Sequence, residues 1–118
     1  MNKQRLQTLV DRQDILDCLT RFSRGIDRLD RDIFLSAFHE DATIAAGPFV
    51  GTPPALCDWS FAMHEEMQIL TQHNLLNHTC EIEGDTAHTE TYYMFVARNK
   101  DETIWLAGGR YVDRLERR

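Results

Sequence analysis

Thr86-Ala87-His88-Thr89-Glu90-Thr91-Tyr92-Tyr93-Met94-Phe95-Val96-Ala97-Arg98 is the stretch on which the fold turns. Thr, Tyr, Phe and Val dominate it and neither Gly nor Pro interrupts it, a composition that suits a pleated, half-buried strand. Period two puts Ala87, Thr89, Thr91, Tyr93 and Phe95 on one face and His88, Glu90, Tyr92 and Met94 on the other. Gly84-Asp85 lies before the run and Asn99-Lys100-Asp101 after it, and both carry turn chemistry. The β-rich runs beyond them, Thr71 to Glu83 and Glu102 to Glu116, therefore become its partners in consecutive hairpins. In the last run Ile104, Leu106 and Val112 share one face while Trp105, Ala107 and Tyr111 share the other. Apolar surroundings are thus expected on both sides of that strand, not a water-facing edge.

Working outward from the meander, the first third of the chain changes to a helical period. Ile15, Leu16, Leu19, Phe22 and Ile26 recur at three- and four-residue steps from an expected cap at Asp11, with Asp14, Asp17, Arg21, Arg24 and Arg28 on the opposite side. Asp30 opens a short second helix through Ile33, Phe34 and Ala37, and a strand follows at Thr43 to Ala46. Thr52 followed by Pro53 starts a third helix, because Pro at the first helical position loses no hydrogen bond there. Its stripe is Leu56, Trp59, Met63, Met67 and Leu70. Helices first and a meander after them predict an α+β domain over 1–118, a curved antiparallel sheet with helices packed over a central pocket.

The 118 residues carry a net charge of −6, spread along the chain, so no basic face is available for nucleic acid. No apolar run approaches a bilayer span and no signal segment leads the chain, which predicts a cytoplasmic protein without membrane attachment. Cys18, Cys57 and Cys80 form no CxxC pair and read as free thiols. His64-Glu65-Glu66-Met67-Gln68 starts like a zinc-binding helix but lacks the second His one turn on, so neither metal nor cofactor is expected. Gly108-Gly109 falls inside a strand, where it marks a bulge or a close backbone approach and not a phosphate loop.

Two residues could carry chemistry. Asp27 lies on the border of the first helix's apolar stripe, and His73 heads the first strand of the meander, sharing a face with Leu75 and Asn77. The other face holds Asn74, Leu76, His78 and Cys80. A carboxylate accepting from one ring nitrogen of His73 would fix its tautomer and leave the other nitrogen as a general base. The competing reading makes Asp27 a helix-boundary residue and His73 a structural strand histidine. Phe22, Trp59, Met63 and Tyr92 are the side chains expected to contact substrate.

Taken together, Leu9-Val10-Asp11-Arg12-Gln13-Asp14-Ile15, Phe22-Ser23-Arg24-Gly25-Ile26-Asp27-Arg28-Leu29-Asp30, Phe38-His39-Glu40-Asp41-Ala42 and Gly108-Gly109-Arg110-Tyr111-Val112-Asp113-Arg114 resemble the SnoaL-like branch of the nuclear transport factor 2-like superfamily. The resemblance implies a cone-shaped sheet, a cystatin-like roll, around an apolar pocket. Dehydratase and dehydrochlorinase members of that superfamily use an Asp–His pair to remove a proton during elimination, and Asp27 and His73 match those positions. Phe22 stands where the dehydratases carry a catalytic Tyr, and Ala45 and Ala46 where a second is expected. The resemblance therefore implies base-driven elimination or isomerisation without phenolic acids, on an apolar cyclic substrate such as a polyketide, steroid or terpenoid. It also implies a further strand after the segment Leu115-Glu116-Arg117-Arg118, or a sheet edge completed by another subunit. A homodimer or homotrimer is expected, and the alternative function is a non-catalytic ligand-binding or assembly module of the same fold.

Overall fold

The Tyr-rich run is the middle strand of the sheet. The computed structural model describes residues 2–118, in the order α1 (Lys3–Asp27), α2 (Arg31–Leu35), β1 (Ile44–Ala46), β2 (Phe49–Gly51), α3 (Pro53–Met67), β3 (Gln68–Glu83), β4 (Thr86–Asn99) and β5 (Ile104–Glu116). β4 pairs antiparallel with β3 on one side and β5 on the other, and β1 and β2 form a separate two-stranded hairpin. The architecture is the α+β one expected, with the sheet curved but not closed.

The register places Phe95 between His73 and Ala107, Thr91 between His78 and Tyr111, and Thr89 between Cys80 and Asp113. Unbroken alternation along β3 would put His78 and Cys80 opposite His73. Instead the pairing shifts between Leu75 and His78, and this bulge brings His78, Cys80 and Ile82 onto the face that His73 and Leu75 already occupy. That face turns toward α1. β5 also departs from expectation: it is an edge strand, and Ile104, Leu106 and Val112 are each more than 60% exposed. Composition could not reveal this, because apolar residues on both faces of a run say nothing about how many neighbours the strand has.

α1 starts eight residues before the expected cap at Asp11. Asn2 is the cap, its side chain accepting from the Arg5 N–H at 2.8 Å. Leu6, Leu9 and Val10 on these early turns keep the helical spacing but face solvent. Asp11 lies buried within the helix and accepts from Gln7 at 2.8 Å and Arg117 at 2.6 Å. α1 and α2 meet at Gly25, where a Cβ would lie 2.4 Å from the Phe34 nitrogen, so only glycine lets the backbones approach this closely. Ile26, Phe34, Leu56 and Cys57 form the core, joined by Phe22, Phe38, Phe49 and Phe61. The side of α3 turned into it is Leu56, Cys57, Ser60 and His64, rotated from the stripe of Trp59, Met63 and Met67. Ser60 is accommodated there because its hydroxyl donates to the Leu56 carbonyl at 2.7 Å. Among the described residues no helix is long and apolar enough to cross a membrane.

Candidate functional site

α1 ends in a carboxylate, and a carboxylate at a helix C-terminus faces the negative end of the helix dipole. Asp27 is held there by donors from β3. Its carboxylate accepts from the Thr71 hydroxyl at 2.8 Å, the His73 backbone N–H at 2.9 Å and the His73 Nδ1 at 2.6 Å. One turn earlier on α1, the Ser23 hydroxyl donates to the His73 carbonyl at 2.5 Å. The helix thus clasps residues 71–73 of β3 at two points. Burial pushes the Asp27 carboxyl up, but the bonds from His73 and Thr71 together outweigh it and hold the group below its ordinary value of 3.8. Asp27 is an anion at neutral pH.

An ionised carboxylate can only accept, so Nδ1 of His73 is the donor in this bond. Nε2 has no hydrogen-bond partner among the described residues and is not sealed from solvent. The His73 side chain is only 10% exposed. Its ring packs against Phe95 at 4.6 Å, His64 at 5.7 Å and Phe22 at 6.3 Å between centroids. Arranged this way, the pair is an imidazole oriented by an anion with its Nε2 left open, which is the geometry a general base needs.

His64 stands beside it, buried on α3, with Nδ1 donating to the Gln68 side-chain oxygen in a short contact. Burial lowers its basicity, the Gln68 bond opposes that, and the nearby His73 lowers it further, so His64 stays neutral below its ordinary value of 6.5. Tyr111, from β5, stacks on Tyr93 with 4.3 Å between centroids and meets Phe22 edge-on at 5.7 Å. Gly109 makes that stack possible, since a Cβ there would lie 2.8 Å from the Tyr93 ring. Burial, then the neighbouring Tyr93, Asp113 and Asp27, push the Tyr111 hydroxyl well above the usual phenol range. Half-buried Asp113 is likewise pushed up by burial.

A cavity of about 840 Å³ lies between α1, β1 and β5, with Leu19, Phe22, Phe38, Ile44, Leu75, Tyr111 and Asp113 among its lining residues. Asp27 and His73 do not line it. His73 is the next ring beyond Phe22, and a recess of about 60 Å³ reaches Asp27, His64, Gln68 and Thr71.

Of the residues singled out in the sequence, the structure therefore joins Asp27 to His73 and places Phe22 against His73. Met63 is half-buried, outside both cavities, and Trp59 stacks on Phe49 at 5.5 Å with more than a third of its surface exposed. Tyr92 lies on the outer sheet face beneath the Arg110 guanidinium, because the inward series along β4 is the odd-numbered one. Thr71, His64 and Tyr111 were missed. Period two from His73 leads to Thr71, and Tyr111 sits in a face already recognised as apolar. His64 carried the signal of an i, i+4 partner in Gln68. No group of three His, Cys, Asp or Glu side chains is poised around a common point among the described residues.

No curated protein matches the chain, but solved structures do. The hexachlorocyclohexane dehydrochlorinase LinA, type 2, superimposes with a TM-score of 0.85 at 20% identity, over 96% of this chain and 79% of that one. A provisionally named scytalone dehydratase from Novosphingobium aromaticivorans gives 0.82 at 18%, over 93% and 76%. A provisionally named aromatic ring hydroxylase from the same organism gives 0.83 at 25%, over 93% and 80%. A nuclear transport factor 2-like protein from Salmonella enterica and a cystatin-like protein from Nostoc punctiforme share the fold as well. The model of the SnoaL-like domain matches residues 7–118, and the chain belongs to the SnoaL-like family.

Proposed function

We propose that the protein is a small-molecule lyase or isomerase that begins its reaction by removing a proton from carbon, with His73 as base and Asp27 as its positioning residue. One observation carries the reading: the Nδ1–carboxylate bond of 2.6 Å that leaves Nε2 without a partner. In the step itself, Nε2 takes the C–H proton and the resulting imidazolium is stabilised by the Asp27 anion. The electron pair left on carbon then either expels a leaving group from the neighbouring carbon or waits for a proton at another position. This chemistry asks for neither metal nor organic cofactor. The folds named for dehydratase and dehydrochlorinase activity give the class an enzymatic precedent, and the aromatic walls of the cavity suit apolar cyclic compounds held by area burial.

Deuterium uptake tests it directly. 2-Tetralone incubated with the protein in D₂O is expected to gain α-deuterium faster than in buffer, and γ-hexachlorocyclohexane tests the halide-eliminating variant by chloride release. His73→Ala should remove either activity while leaving the thermal midpoint within a few degrees of the parent. Activity retained in His73→Ala overturns the assignment.

A second reading, a ligand-binding module without turnover, is favoured by the cavity wall stopping at Phe22, one ring short of His73. It predicts saturable binding of 2-tetralone with no exchange above background.

A further inference from the structure

We propose that the 840 Å³ cavity is a binding site for an apolar ring carrying a protonated amine, with Asp113 of β5 as the carboxylate that receives the ammonium. The inference concerns the cavity alone and asks nothing of His73, which lies outside it.

Of the charged groups around the cavity, Asp113 is the one both enclosed and unpaired among the described residues. Arg117 is taken by Asp11 at 2.6 Å and Asp85 at 3.0 Å, Arg118 by Asp41 at 2.6 Å, and Arg114 by Glu116. Arg21 donates to the Ser36 hydroxyl at 3.1 Å, His39 bonds the Glu116 carbonyl at 2.7 Å, and Asp14 stands in water. Asp113 is half-buried on the inward side of β5, between Tyr111 and Leu115, and has neither an ion pair nor a hydrogen bond. Donors close by do not reach it. The Cys18 thiol of α1 donates to the Ala37 carbonyl at 3.3 Å. Thr89 lies directly across the β4–β5 pair from Asp113 and is only 3% exposed, yet its hydroxyl has no partner at all. Two neighbouring polar groups on one wall are thus left unsatisfied.

An enclosed carboxylate without a donor is costly to keep as an anion, and burial pushes this one up with no charge of the protein opposing it. A neutral hydroxyl on a ligand would satisfy a lone pair only. An ammonium supplies donor and counter-charge together, in a bond stronger than a neutral one. The walls fix the rest of the ligand. Tyr111 and Leu115 flank Asp113, Phe22 meets Tyr111 edge-on at 5.7 Å, and Leu19 and Leu75 lie beyond, so the ring that bears the amine rests on aromatic and aliphatic surface. A ligand carboxylate would be repelled by Asp113 itself, and the net charge of −6 draws cations toward the protein.

2-Aminotetralin and tetralin share one ring system and differ by the ammonium. Isothermal titration calorimetry at neutral pH is expected to give at least about tenfold tighter binding of 2-aminotetralin to the parent protein, the scale of a hydrogen bond to a charged group. Asp113→Asn, with Asp113→Ser as a second variant, should erase the difference and leave tetralin binding unchanged. The thermal midpoint of Asp113→Asn should not fall, because the substitution removes an unpaired carboxylate and breaks no bond. Equal affinity for the two compounds in the parent, a preference that survives in either variant, or failure of both compounds to bind each overturns the proposal. So does tighter binding of 2-tetralone than of 2-aminotetralin, which would make Asp113 a neutral acid donating to a carbonyl. His73→Ala should keep the amine preference, so absence of deuterium uptake removes His73 from the chemistry and leaves this site standing.

Discussion

At the scale of a single residue, Asp27 is where the electrostatics are least forgiving. Its carboxylate opposes the dipole of α1 and is stabilised only by the bonds it receives from Thr71 and His73. Asp27→Ala strands the Thr71 hydroxyl, the His73 amide and the imidazole Nδ1 in a partly buried spot. A loss of about 2–3 kcal/mol is expected, as donors left without an acceptor cost about 1 kcal/mol or more each. Urea denaturation measures it, and a change under 0.5 kcal/mol (about the size of an ordinary surface substitution) would show that water replaces the carboxylate without penalty. Asp27→Asn keeps an acceptor, so it should cost less stability while still impairing any activity, because an amide gives an imidazolium much weaker support than an anion does.

The element scale turns on close approaches. Gly25→Ala would ordinarily stabilise a helix interior by up to about 1 kcal/mol, but here the new Cβ would meet the Phe34 backbone at 2.4 to 2.6 Å. Destabilisation of at least about 2 kcal/mol is expected by chemical denaturation, because overpacking against main chain cannot relax by a rotamer change. A stabilised variant would mean that α2 moves freely against α1. The same scale explains what the sequence disclosed. The period of α1 after Asp11, the Thr52–Pro53 start of α3 and the turn residues between strands are local signals, and each is found where expected. Asp27 and His73 were legible because a helix border and a strand face are both set by short-range periodicity. The bulge between Leu75 and His78 was not, since register depends on pairing energies along the whole of β3 and β4, not on residues 75–78 themselves. Nor was the buried side of α3, where Ser60 and His64 face inward only because Leu56 and Gln68 satisfy them. Hydrophobicity alone ranked Trp59 and Met63 above them.

The molecule as a whole should lose stability in acid in two stages. His64 is less basic folded than unfolded, so the unfolded chain binds more protons as pH falls below the ordinary 6.5, and stability present above that value drains away below it. Asp27, more acidic in the fold than its ordinary 3.8, contributes stability above that pH that is lost as pH falls further. Thermal midpoints across pH 3 to 8 are expected to show both declines; burial, then Arg12, makes His78 less basic as well, so His64→Phe should shrink the upper decline without abolishing it, and an upper decline left at full size would show that His64 takes no part in it. The outer sheet face, where Leu70, Ile104 and Leu106 are each more than 60% exposed, is expected to make the chain self-associate. Sedimentation at micromolar concentration should give a species heavier than a monomer, and Leu106→Lys should return it to monomer mass. A monomeric parent would show that this face stays wet.

From Ile104 to Tyr111 the edge strand β5 has neither proline nor lysine, and Arg110 is its only charge. Backbone groups along its free side can pair with any extended chain of any sequence, so the edge acts without the side-chain matching that governs the outer face. A single proline at an outward-pointing amide of β5 is therefore expected to raise the concentration at which a solution stays clear, by removing a main-chain donor that no change on the outer face affects.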